Sequence, residues 1–188
     1  MGLHKKLMLS FVILVLSTGT ANSTAMLQLG LKDLATGAEK IVQATVTAVV
    51  QQWNADHTVI YTYVRMVIKD DLLGSEEDNE IIIKQPGGSV GTLTLKVLGC
   101  AEYKVGEQNI LFLSRDPATP AAYQTLGMYQ GKYTIYTDNQ QVARVSQDTT
   151  QSRTLYKAAG SMLLETGNSM TLDDFKQLVI DYRNNGSR

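Results

Sequence analysis

The sequence is poor in the side chains that most often carry chemistry. Its 188 residues include one cysteine and two histidines. A zinc site needs three or four His, Cys or acidic ligands, so the sequence predicts no metal site and no cofactor. Cys100 cannot form an internal disulfide, and stability must therefore come from packing. We expect Cys100 to be a buried, inert residue, with an intermolecular disulfide as the alternative.

The scarcity of histidine also limits the kinds of enzyme the chain could be. His4 lies in the leader described below, which leaves His57 alone, inside a polar turn. A Cys100–His57 pair or a Ser-His-Asp set would depend on it, and neither has a recognisable flanking motif. Two carboxylates could hydrolyse a glycoside, but nothing selects a pair among the 18 acidic residues. The sequence therefore predicts no catalytic residue and a non-enzymatic protein.

Clustered positive charge is missing as well. The formal net charge is −1, and no run of Lys or Arg interrupts the mature chain. Because neutralising phosphates requires clustered cations, we expect neither nucleic acid nor an anionic membrane as a partner. The acidic stretch "EEDNE" does not have the spacing of an EF-hand loop, and we interpret it as a solvated loop.

The N-terminal residues have the pattern of a signal peptide. Lys5 and Lys6 precede an apolar stretch at 7–16, and small polar residues follow. Cleavage is predicted after Ala25 or, alternatively, after Ala21. The apolar stretch is shorter than the roughly 20 residues that span a bilayer. We therefore predict export to the periplasm or the exterior, with residues 1–25 removed.

The remaining chain reads as strands between two helices. A helical period at 27–40 leads into a strand in which Val42, Ala44, Val46, Ala48 and Val50 form one apolar face. A polar turn at 54–58 precedes a second strand, whose apolar face would run from Ile60 to Ile68, and the two predict a hairpin. A further strand is predicted at 109–114, where residues 110–113 are apolar on both faces, as in a strand that is covered on both sides.

The C-terminal part has no clear period from 147 until a helix at 172–185. Thr171 and Asp174 resemble a capping box for this helix. Its apolar face would comprise Leu172, Phe175, Leu178, Val179 and Tyr182. The predicted fold is thus mainly β, a small antiparallel OB-like barrel of five to seven strands with an N-terminal helix and a capped C-terminal helix. We place the barrel domain at 26–146 and a C-terminal extension, whose helix packs on the barrel, at 147–188.

Four glycines lie in "KQPGGSVGTLTLKVLGC" at 84–100. A phosphate-binding P-loop would place Lys and Ser or Thr directly after the last glycine and then a helix, whereas Thr92 follows Gly91 and the next residues alternate as a strand. Dinucleotide-binding spacing is absent too. We therefore predict that Gly87, Gly88 and Gly91 are structural turn residues that permit positive φ or close backbone approach.

Aromatic residues supply the candidate ligand-binding site. Trp53 ends the first strand, and Tyr61 and Tyr63 lie on the less apolar face of the second. Because aromatic side chains give large contact area at low entropic cost, the three could form a platform for a saccharide or a protein. The alternative is that helices cover this face.

Several segments between residues 31 and 136 carry a family resemblance. They read "LATGAEKIVQATVTAVVQQW", "IYTYVRMVIKDDLLG", "IIIKQPGG", "YKVGEQNILFL" and "LGMYQGKYTI". Together they resemble a family of small exported, largely uncharacterised bacterial proteins. Their order is also similar to netrin-like and tissue-inhibitor-of-metalloproteinase-like (TIMP-like) domains, and this resemblance implies an OB-type barrel.

One departure limits what the resemblance implies about function. Such metalloproteinase inhibitors use an N-terminal cysteine to chelate the zinc of the target, and this chain has no cysteine there. That mechanism is not carried over to any residue. We expect an exported, non-enzymatic binding or interaction domain; the alternatives are an inhibitor of a secreted hydrolase that acts by loop insertion, and a carboxylate-based hydrolase.

Overall fold

The structure, a computed structural model, describes residues 28–74, 79–147 and 170–186. The predicted signal peptide, the acidic stretch at 75–78 and most of the aperiodic segment from 147 to 169 lie outside these ranges. Within them, no helix is both long and apolar enough to cross a bilayer.

The described residues form two helices, one 3-10 turn and ten strands. The helices are α1 (Leu31–Gly37) and α2 (Leu172–Asn185), and the 3-10 turn spans Met128–Gly131. The strands are β1 (Lys40–Trp53), β2 (Ile60–Asp71), β3 (Glu80–Pro86), β4 (Gly88–Val90), β5 (Leu93–Leu95), β6 (Gln108–Asp116), β7 (Thr119–Thr125), β8 (Lys132–Thr137), β9 (Ala143–Gln147) and β10 (Met170–Thr171).

Five of the strands close into a ring. The pairing order is β1–β2–β3–β7–β6, and β6 also pairs with β1. This confirms the predicted mainly β, barrel-like fold. Two features differ from the prediction. The β3–β7 pair is parallel, and β8, β9 and β10 extend the sheet beyond β6, so residues from the C-terminal part join it.

The barrel is filled by the alternate residues of its strands. Val42, Val46, Val64 and Met66 are buried there, together with Ile83 and the other members of the inner core. The predicted apolar face of β2 is confirmed, because Ile60, Thr62, Val64 and Met66 are buried. Tyr61, Tyr63 and Arg65 therefore point away from the barrel interior.

The two helices build a second core on the outside of the barrel. Phe112 is covered by Phe175 of α2 and by Tyr133, with ring centroids 6.5 and 5.8 Å away. Strand β6 is buried on both faces as predicted, since Leu111 and Leu113 face the inner core while Ile110 and Phe112 face the outer one.

The C-terminal helix has the predicted bounds and cap. The Thr171 hydroxyl oxygen accepts a hydrogen bond from the backbone N–H of Asp174 at 3.2 Å, and Phe175 and Val179 are buried. The N-terminal helix is shorter than the predicted 27–40. It spans Leu31–Gly37, with Gly30 as its N-cap and Gly37 as its last residue, and both glycines have low helix propensity. Ala38 follows in extended conformation and is buried.

The sequence predicts that Ala48 and Val50 share the inward apolar face of β1 with Val42, Ala44 and Val46, and this prediction is wrong for the residues beyond Val46. The register with β2 shifts between Val46 and Ala48, so that Thr47 is an extra, bulged residue. Beyond it the alternation changes phase. Val49 packs against the inner core, and Val50 is 51% exposed on the outside.

Candidate functional site

The three aromatic candidates do not lie on one surface. In the β1–β2 register Trp53 is opposite Ile60, whereas Tyr61 is opposite Gln52 and Tyr63 is opposite Val50. Residues that pair across antiparallel strands share a face, so Trp53 lies on the side of buried Ile60 and the tyrosines on the outer side. Trp53 stacks instead on His57, with ring centroids 6.2 Å apart.

The two tyrosines are brought together on the outside of the barrel. They are alternate residues of β2, and their half-buried rings lie 6.5 Å apart at an interplanar angle of 55°. Their neighbours on the outer sides of β1, β2 and β3 complete a surface that we name the tyrosine face: Val50, Tyr61, Tyr63, Arg65, Val67 and Ile82. A platform of aromatic rings therefore exists, without Trp53.

A buried ion pair supports one end of this face. The Lys84 ammonium lies 4.6 Å from the centroid of the Tyr61 ring and donates a hydrogen bond to Thr119 Oγ1 at 2.8 Å. It is 3.8 Å from Asp116, and both side chains are less than 10% exposed. Lys84 is opposite Tyr63 and lies on the same side of the sheet; its cation contacts the Tyr61 ring and joins β3 to the β6–β7 hairpin.

The carboxylate of this pair is held in its charged form. Burial alone would raise the pKa of Asp116, but hydrogen bonds from the Gln124 amide and the backbone of Thr119, together with the Lys84 ammonium, outweigh burial and lower it. The Asp116 carboxylate therefore stays charged beside Lys84.

Arg65 lies in the middle of the tyrosine face. It is opposite Ala48 on β1 and Ile82 on β3, and its side chain is exposed. Around it, Val50 is 51%, Val67 39% and Ile82 37% exposed. Scattered single apolar residues are normal on a surface, but a contiguous patch that includes aromatic and arginine side chains is typical of recognition sites.

Sequence reasoning missed four members of this face. Arg65 and Val67 follow Tyr61 and Tyr63 in the same alternation, so the period of β2 alone could have added them. Val50 was hidden by the bulge at Thr47. Ile82 was hidden because the apolar run "IIIK" gives no sign of which of its residues points outward.

The glycine-rich stretch is a turn into a small hairpin. Gly87 and Gly88 have φ of 104° and 134°, and Gly91 has φ of 61°. A Cβ on Gly88 would lie 2.9 Å from Thr62 Oγ1, whereas a Cβ on Gly91 would meet nothing within 4 Å. The Thr62 hydroxyl donates to the Gly87 carbonyl at 2.7 Å, which ties this turn to β2.

Cys100 and His57 do not form a pair in the described residues. Cys100 is half-buried, its Sγ lies 3.4 Å from the Pro86 carbonyl oxygen, and burial raises the pKa of its thiol. His57 is exposed in the β1–β2 turn and stacks on Trp53. A raised thiol pKa favours the protonated, less nucleophilic form.

A second buried polar cluster lies where β8 meets β6. The Lys132 ammonium is 2.8 Å from a carboxylate oxygen of Glu107, and it lies 4.9 Å from the ring centroid of Tyr103. The Tyr103 hydroxyl is 2.6 Å from Thr125 Oγ1, and burial raises its pKa. The nearby Asn109 amide nitrogen is buried without a hydrogen-bond partner among the described residues. This cluster joins the loop at 101–107 to the sheet.

In the described part of the chain no three His, Cys, Asp or Glu side chains are grouped as metal ligands would be. No model of a known protein family matches the chain, and no curated protein matches it either. Function must therefore be inferred from the tyrosine face itself.

Proposed function

We propose that this protein is an exported, non-enzymatic binding domain that uses the tyrosine face to hold a partner in the periplasm or at the cell surface. The observation that carries the proposal is the grouping of two tyrosines, three exposed aliphatic side chains and an arginine on one side of a closed barrel. Tyrosine and arginine are the residues in which binding energy is most often concentrated.

The buried ion pair at one end of the face favours binding. Tyr61 is held by Lys84, which is in turn held by Asp116 and Thr119. A side chain that is already ordered loses less conformational entropy when a partner arrives. Tyr61, Tyr63 and Arg65 lie on β2, whose backbone pairs with β1 on one side and with β3 on the other, and this central part of the face is therefore preorganised.

Site-specific photo-crosslinking in the cell of origin tests the proposal. A photoreactive residue at position 63 should yield a discrete adduct, whereas one at Tyr136, which is 39% exposed on β8, should not. The adduct at 63 should disappear when Ile82→Asp places a charge in the patch. Equal adducts at both positions, or an adduct that survives Ile82→Asp, would contradict the proposal.

The non-enzymatic part of the proposal has its own test. The purified protein should not turn over libraries of peptides, esters or glycosides. Turnover that is abolished by His57→Ala or Cys100→Ala would overturn it.

A second candidate function is favoured by the β4–β5 hairpin. Leu93 is 59% and Leu95 36% exposed, and a 2.8 Å hydrogen bond between the Ser89 and Thr94 hydroxyls joins the two strands. Such a hairpin could insert into the cleft of a secreted hydrolase. A relative of netrin-like and TIMP-like domains that lacks their zinc-chelating cysteine would have to inhibit its target in this way. Inhibition that is lost in Leu93→Asp would support this function; retained inhibition would exclude the hairpin.

A further inference from the structure

Arg65 indicates the chemistry of the partner, an inference that rests on the proposed function of the tyrosine face. Five cations of the described residues are within 4.0 Å of a carboxylate, namely Lys40, Lys84, Lys132, Arg144 and Lys176. Arg65 has no such partner in the part of the chain that the structure describes. Glu80 is opposite Val67, diagonally across from Arg65, and forms no ion pair with it there.

Covering the patch necessarily covers Arg65. A partner that contacts Val50 on β1 and Ile82 on β3 must pass over β2, where Arg65 lies between them. A guanidinium that loses its water without gaining acceptors costs its full desolvation energy. The partner must therefore bring an acceptor to Arg65, and a carboxylate, which the guanidinium can bind through two parallel hydrogen bonds, is the best match.

The other residues of the face indicate which class of molecule brings the carboxylate or phosphate to Arg65. The exposed valines and isoleucine require apolar groups on the partner, which saccharides and phosphate backbones offer poorly. A single central cation is also too few for a polyanion, whose binding depends on several phosphate contacts. A protein segment with an acidic residue between aliphatic or aromatic ones satisfies both requirements.

We propose that the tyrosine face binds a protein segment whose Asp or Glu pairs with Arg65, while apolar side chains on either side of that acid pack on Tyr63 and on the aliphatic residues around it. The tyrosines and aliphatic residues supply contact area, and Arg65 supplies selectivity for the acid. Charge pairs of this kind determine partner choice more than affinity.

Selection from a random displayed 12-residue peptide library tests the inference with the full mature chain. Peptides enriched on the wild type should contain Asp or Glu beside aliphatic or aromatic residues. A synthetic enriched peptide should bind Arg65→Gln about two- to fivefold more weakly, as expected for the loss of one exposed charge pair. Selection on Arg65→Glu should enrich Lys or Arg in place of the acid. Lys96→Gln, which removes an exposed cation from the hairpin, is the matched control and should not alter binding.

The outcomes separate the two proposals. Peptides that require Tyr63 but show no acidic preference would overturn the inference and leave the proposed function intact. If no enriched peptide loses binding in Tyr63→Ala, the proposed function itself is contradicted. Concentration-dependent dimerisation that Arg65→Glu abolishes would also overturn the inference, because the occupant would then be a second copy of the chain. Equal melting temperatures of the variants would show that these effects are not due to misfolding.

Discussion

Replacing Gly88 with valine tests the geometry of the barrel end directly. Gly88 has φ of 134°, a conformation that L side chains rarely adopt. A Cβ at this position would lie 2.9 Å from Thr62 Oγ1 and 3.1 Å from two carbon atoms of Gln51. The side chain would therefore meet both a strained backbone and a fixed neighbour.

The expected loss of stability has two parts. A residue held in a sparsely populated region costs about 1–3 kcal/mol. Moving the Thr62 hydroxyl breaks its buried hydrogen bond to the Gly87 carbonyl, which adds about 1 kcal/mol. The sum is about 2–4 kcal/mol, and the β-branching of valine adds to it. For a domain of this size that corresponds to a fall of roughly 5–15 °C in melting temperature.

Thermal unfolding followed by circular dichroism measures this loss, and Gly91→Ala is the matched control. Gly91 also has positive φ, but its Cβ would enter open space. Gly91→Ala should therefore cost only the backbone term of about 1–2 kcal/mol. An unchanged melting temperature in Gly88→Val, or equal losses in the two variants, would refute the reasoning.

Three further predictions concern polar contacts. Arg183→Met removes hydrogen bonds to the last carbonyls of α1, at 3.0–3.2 Å, and should lower the free energy of unfolding in urea by about 1–3 kcal/mol. Lys132→Met leaves Glu107 without its cation and should cost about 3–5 kcal/mol, part of which Glu107→Gln should restore in a double-mutant cycle. The pKa of Asp116 is lowered below 3.8, so its stabilising contribution is present above about pH 4 and is lost as pH falls through the folded-state value. Acid titration of the melting temperature should therefore be less steep in Asp116→Asn.

Much of the fold could be predicted because local patterns and tertiary packing agree. Alternation in β2, the doubly apolar run of β6 and the Thr171 cap each indicate the element that forms. The closure of the ring is not a local property. It depends on β6 pairing with β1 on one side and with β7 and β8 on the other, and no residue pattern shows which edges meet.

The candidate site was only partly predictable for a related reason. Tyr61 and Tyr63 follow a two-residue period, and that period is enough to place them on one face. Trp53 was grouped with them because it is close in sequence, but its face depends on the register between β1 and β2. That register includes a bulge that has no glycine or proline to mark it.

The bulge at Thr47 links the closure of the barrel to the composition of the tyrosine face. Before it, β1 pairs with both β6 and β2, and its apolar residues fill the barrel; beyond it, β1 pairs with β2 alone. The change of phase keeps Val49 in the inner core and turns Val50 outward beside Tyr63. Without the extra residue, Val50 would be buried and the outer face would lose its most exposed aliphatic side chain. The exposed patch is therefore a consequence of how β1 is shared between two neighbours.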